Sequence, residues 1–146
     1  MLPDAPGSYV LILRLSKRTP ISVGKLGEFV FPSAWYAYAG SARGPGGLGA
    51  RVARHHRGSE TRHWHIDYVR PHTELIAVWY ALGSGKRECQ WAAALSELPG
   101  AFTTAPHFGS SDCRCPAHLI GFPSSPDVSA FAEGVDGPIS RHQFVA

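Results

Sequence analysis

Trp35-Tyr36-Ala37-Tyr38-Ala39-Gly40 decides the fold, read with its upstream counterpart Gly7-Ser8-Tyr9-Val10-Leu11-Ile12-Leu13-Arg14-Leu15. In the first stretch the side chains alternate, as on a strand: Tyr36 and Tyr38 face one side, Ala37 and Ala39 the other. The small alanines leave room for a helix to pack closely on their side. In the second, the almost unbroken apolar run predicts a central strand covered on both faces. Between the two, Ile21 to Val23 and Glu28 to Phe31 predict a hairpin that turns at Gly24-Lys25-Leu26-Gly27 and ends at Pro32. Its apolar residues Phe29 and Phe31 suggest an interface.

Downstream, Ser41 to Gly47 is a loop built on Gly44-Pro45-Gly46-Gly47. A helix from about Gly47 to His56 follows, with Leu48, Val52 and His55 on one face and Arg51 beside them. The loop's backbone N–H groups, next to a helix start, suit contact with a phosphate. The Lys-Ser/Thr ending of a nucleotide-binding P-loop is missing, so ATP or GTP binding is not expected. His63 to Val69 predicts a short helix stopped by Pro71. Glu74 to Leu82 reads as a strand, Lys86 to Leu98 as a helix, and His118 to Phe122 as an edge strand. On the Lys86 helix, Glu88, Trp91, Ala92 and Leu95 share a face. Pro126 suits the first position of a helix running to about Glu133, and the tail beyond it reads as poorly ordered. The expected fold is one α/β (α+β) domain over 1–146, with a core of about 7–122 and a C-terminal helix and tail at 123–146. A small, mainly antiparallel sheet is flanked by helices and carries the inserted hairpin.

The 146 residues fit one domain, and the 44% hydrophobic content is enough for a core. The net charge of +3 says little by itself, but its distribution says more. Arg43, Arg51, Arg54, Arg57, Arg62 and Arg70 are interleaved with His55, His56, His63 and His65, against only Glu60 and Asp67. Such a stretch attracts polyanions; a solvated helix face is the plain alternative. No segment is long and apolar enough to span a membrane, and the N-terminal run lacks a signal-peptide layout. Three cysteines do not make a full disulfide framework. A cytoplasmic location is expected.

Tyr9, Tyr38, Arg51, His55 and Glu88 are the residues that carry chemistry. Taken singly, the tyrosines read equally well as sheet aromatics, and Glu88 as a carboxylate complementing the positive end of its helix. Their order along predicted strands and helices resembles the catalytic core of the GIY-YIG nuclease superfamily. Within it, the chain is similar to a branch defined only as a domain of unknown function. That likeness rests on Ile21-Ser22-Val23-Gly24 with Leu26-Gly27, Tyr38-Ala39-Gly40-Ser41-Ala42 and Gly44-Pro45-Gly46-Gly47-Leu48. His63-Trp64-His65-Ile66-Asp67-Tyr68 and Phe108-Gly109-Ser110-Ser111-Asp112-Cys113-Arg114-Cys115 with His118-Leu119 complete it.

The resemblance implies a metal-dependent endonuclease acting on DNA, with a role in processing or repair. A non-catalytic nucleic-acid-binding module of the same fold is the alternative. Tyr9 and Tyr38 match the two motif tyrosines, Arg51 the superfamily arginine, His55 the polar residue one turn later, and Glu88 the ligand of Mg²⁺ or Mn²⁺. The chemistry is consistent with those roles. A guanidinium grips a phosphate through paired hydrogen bonds, and one carboxylate with waters makes an ordinary Mg²⁺ site. A phenol titrates near ~10, and a neighbouring Arg51 or metal is expected to lower that value, making Tyr9 a base with His55 as the alternative. Arg43, Arg54, Arg57 and His65 are the expected nucleic-acid contacts. The resemblance departs in one respect: many active members carry a late Asn, and this chain has none. Ser111, Asp112 and His118 are possible substitutes.

Cys89, Cys113, Cys115 and His118 form a second constellation, of ligand types that zinc accepts. The Cys-x-Cys spacing is tighter than a usual finger knuckle, which favours plain buried thiols. A redox-sensitive pair is the third reading.

Overall fold

The computed structural model describes residues 2–110 and 115–144. The chain runs β1 (Gly7–Leu15), β2 (Thr19–Val23), β3 (Gly27–Phe31), β4 (Ala34–Ala42), α1 (Gly47–Arg57), α2 (Ile66–Val69), β5 (Glu74–Leu82), α3 (Glu88–Ser96), β6 (Leu119–Phe122), α4 (Val128–Glu133) and β7 (Ser140–Gln143). Five strands form one antiparallel sheet in the order β6-β4-β1-β5-β7, so β1 lies at its centre. That is the place its unbroken apolar run demands, since a central strand buries both faces.

The alternation read in Trp35 to Gly40 divides the core into two. Tyr9, Leu11, Leu13, Tyr36 and Tyr38 line one face, under Leu48 and Val52 of α1, Ile66 and Val69 of α2, and the β2–β3 hairpin. Val10, Ile12, Ala37 and Ala39 line the other, under Trp91, Ala92 and Leu95 of α3 and Phe131 of α4. The alanines let α3 approach β4, as expected. α3 is therefore seated where its first turn reaches the end of β4.

The expected hairpin is present: β2 and β3 pair with each other, as a two-stranded sheet apart from the main one. Phe31 is buried and Phe29 is partly buried against the core, while Val30 between them is exposed. Other expectations need correction. The helix expected from His63 starts only at Ile66, because the Asp67 carboxylate captures the N–H groups of His63 and Trp64 at 2.8 Å each. Asp67 is thus a local cap that replaces the first helical turn. α4 starts at Val128, so Pro126 lies before the helix and not at its first position; Asp127 is the cap, accepting from the Ser129 N–H at 3.2 Å. The described part of the tail is structured: β7 pairs with Ala77 to Tyr80 of β5. Among the described residues, no helix is long and apolar enough to cross a membrane.

Candidate functional site

Glycine 40 stands opposite Tyr9 in the β1–β4 register. The Tyr9 ring lies over it, and its hydroxyl meets Nε2 of His55 at 3.0 Å, deep in the fold. His55 comes from α1 and is 2% exposed, facing the sheet with Leu48 and Val52 as the helical periodicity requires. Tyr38, two residues before Gly40 on β4, sets its ring 6.5 Å from that of Tyr9 and 6.4 Å from that of His55. One turn before His55, Arg51 donates from its guanidinium to the Ser41 carbonyl at 3.0 Å. The hydroxyl of Ser41 donates in turn to the Glu88 carboxylate on the first turn of α3. One serine at the end of β4 therefore holds both a cation and an anion of the site. Tyr9, Tyr38, Ser41, Arg43, Arg51 and Glu88 line a common cleft of about 200 Å³. All five expected site residues come together, with His55 behind Tyr9 and the other four on the cleft wall.

The electrostatics run against one expectation. Burial pushes the Tyr9 phenol up to about 12, and the opposing pull of Arg51 does not overcome it. Burial also holds Tyr38 well above the usual phenol range. His55 is pushed down to about 3, again by burial, so it is neutral at physiological pH. The Nδ1 atom of His55 is buried and finds no hydrogen-bond partner among the described residues. Arg51 alone therefore does not prepare Tyr9 to act as a base.

Trp64, not among the expected site residues, holds Arg51 in place, and Asp67 holds the neighbouring Arg54. The guanidinium of Arg51 stacks over the Trp64 ring at 4.3 Å, and that of Arg54 lies over the same ring at 4.5 Å. Arg54 is clamped by both carboxylate oxygens of buried Asp67, at 2.9 and 3.0 Å. The signal was present in His63-Trp64-His65-Ile66-Asp67, but it read as a helix face.

The expected nucleic-acid contacts separate. Arg43 is exposed at the cleft. Arg54 is committed to Asp67 and Trp64, so it is a structural residue. Arg57 is exposed but lines a different cavity, at the far end of α1, with Arg62 and Arg70. His65 accepts from the Gly109 N–H at 2.7 Å and packs on Phe108, bracing that loop. At the start of α1, Gly47, Leu48 and Gly49 donate to the carbonyls of Gly44, Ala5 and Pro3 at 3.1, 2.9 and 2.8 Å. Those donors are spent within the chain.

Cys89, Cys115 and His118 meet beside Glu88, and His118 also lines the cleft. The structure joins Cys89 to Cys115 as a disulfide, with both residues half-buried and not enclosed as plain core thiols. Ser111, Asp112 and Cys113 lie outside the described residues.

The chain matches the family described as domain of unknown function DUF123 over residues 8–137. It belongs to that family. No curated protein and no solved structure matches it.

Proposed function

We propose that this chain is a metal-dependent endonuclease of the GIY-YIG type that hydrolyses phosphodiester bonds in DNA. The observation that carries this reading is the single cleft shared by Tyr9, Tyr38, Arg51 and Glu88. Arg51 is held by Ser41 and Trp64 at the cleft wall, where it takes the scissile phosphate and balances the charge that grows on it. Arg43, exposed at the rim, contacts the flanking backbone. Glu88 fits a hard divalent cation: it is a half-buried carboxylate oriented by the Ser41 hydroxyl, on a cleft open to water. Bound there, Mg²⁺ or Mn²⁺ supplies stabilisation of the leaving 3′ oxygen.

Tyr9 and His55 form the proton-handling pair. The attacking water gives its proton to the Tyr9 oxygen as the phenol passes its own to Nε2 of His55. Unaided, a full transfer from Tyr9 to His55 is uphill, since burial raises the phenol and lowers the imidazole. The pair therefore works only when substrate and cation change the charge of the cleft. This observation also supports the second reading, a non-catalytic nucleic-acid-binding module, in which the two side chains simply satisfy each other.

The deciding experiment is cleavage of end-labelled single-stranded, duplex and branched DNA, with an RNA control, in Mg²⁺, Mn²⁺ or EDTA. Wild type is run beside Glu88→Ala and Arg51→Ala. Metal-dependent cutting lost in both variants supports the nuclease. Binding without cutting on every substrate moves the reading to the binding module.

A further inference from the structure

We propose that Cys89, Cys115 and His118 form a zinc site that ties the first turn of α3 to the segment leading into β6. The inference stands apart from the nuclease reading, because it concerns a structural ion and not the cation at Glu88. One donor atom from each residue lies within 4.8 Å of the other two. Cys89 Sγ is 3.6 Å from His118 Nε2. In a tetrahedral zinc site, bond lengths of about 2.3 Å to sulfur and 2.0 Å to nitrogen place those atoms about 3.5 Å apart.

The donor chemistry points the same way. Two thiolates and an imidazole suit a borderline-soft ion, whereas Mg²⁺ prefers oxygen. His118 is 3% exposed, so its imidazole is enclosed beside the two sulfurs. Its backbone is fixed on both sides: its N–H donates to Phe108 at 2.7 Å and its carbonyl accepts from Ala39 at 3.0 Å. The imidazole is therefore placed by the fold before any ion arrives, which lowers the ordering cost of binding.

The disulfide and the zinc site are alternative states of the same two sulfurs. A trialkylphosphine converts one into the other. The phosphine is oxidised to its oxide with oxygen from water, and the two cysteines are reduced to thiols. Zinc then displaces both thiol protons, with water or a further side chain completing four-coordination. Because Cys89 adjoins Glu88, the ion also fixes the turn that carries the cleft carboxylate.

The test uses the full chain, purified without added zinc and reduced with phosphine under anaerobic conditions. Metal content is measured first. Co²⁺ is then titrated in, and the thiolate-to-cobalt absorption is followed and competed away with Zn²⁺. About one ion per chain is expected, with the band lost in Cys89→Ser and in His118→Ala. Zinc near zero together with no cobalt–thiolate band in reduced wild type overturns the proposal. A full ion retained by both variants overturns it too, by placing the metal elsewhere. The wild-type stoichiometry decides the matter even where a variant fails to fold.

Discussion

The Tyr9 ring rests on the α-carbon of Gly40, so that a Cβ at Gly40 would meet the phenolic oxygen and Cζ at 2.6 Å. Both atoms belong to a buried side chain hydrogen-bonded to His55, so a shift away from the new Cβ strains that bond. Gly40→Ala is therefore expected to push the phenol off Nε2 of His55 and to destabilise the fold by about 1–3 kcal/mol, a typical overpacking cost. Any cleavage activity should fall as far as in Tyr9→Phe. Denaturant unfolding and cleavage assays on the two variants check this. A Gly40→Ala protein with wild-type stability would mean that the ring is not pinned.

His55 has a low-pH signature. Its folded value is about 3 against an ordinary 6.5. Between those values the unfolded chain binds a proton that the folded chain does not, so stability falls as pH drops from about 6.5 toward 3. Above that window the contribution is constant. The loss is on the order of 4 kcal/mol. His65 and His118 are also held low by burial and push in the same direction. Asp67, held below its usual value chiefly by Arg54 and two backbone N–H groups against the cost of burial, adds a further loss as pH falls through its folded value. Proton NMR checks the assignment: the His55 ring should not titrate between about pH 8 and 5, and a midpoint near the ordinary value would overturn it.

Asp67 supports the site from a distance through Arg54 and Trp64. Asp67→Ala removes the acceptor of Arg54 and of two backbone N–H groups at once. A loss of about 3 kcal/mol is expected, since a largely buried cation is left without its partner. Arg54→Ala on that background should cost less than it does in wild type, with a coupling of about 1–3 kcal/mol. A double-mutant cycle measures the coupling, and strictly additive losses would remove Asp67 from the network.

The two strands, the first helix, α3 and β6 were legible because each has a strong hydrophobic period or a sharp stop. Arg51 and His55 were readable as neighbours for the same reason. What escaped depends on contacts distant in sequence. Trp64 meets both Arg51 and Arg54 where Asp67 captures its backbone N–H and the helix begins late. The N–H groups of Leu48 and Gly49, just past the loop expected to contact phosphate, are taken by the carbonyls of Ala5 and Pro3 from the N-terminal segment. The Tyr9 acidity ran the other way from expectation, since burial depends on the whole fold while Arg51 was visible in the sequence. Ser140-Arg141-His142-Gln143 escaped for a further reason: a polar edge strand has no apolar alternation to announce it.

That edge strand gives the last prediction. β7 pairs with Ala77 to Tyr80, and the Phe144 N–H donates to the Ile76 carbonyl at 2.9 Å. The Phe144 ring also stacks on His56 of α1 at 4.4 Å, so the tail joins the sheet edge to the helix carrying Arg51 and His55. Ending the chain at Gly137 should expose β5 as a long apolar edge, the kind that invites pairing with other chains. The expected result is a stability loss of about 1–3 kcal/mol and increased self-association. Amide exchange at Ala77 to Tyr80 should quicken, while the buried centre of β1 stays protected. Thermal melts, light scattering and hydrogen exchange on the truncated and full chains test each part. Unchanged melting with unchanged protection at Ala77 to Tyr80 would show that the tail adds nothing to the sheet.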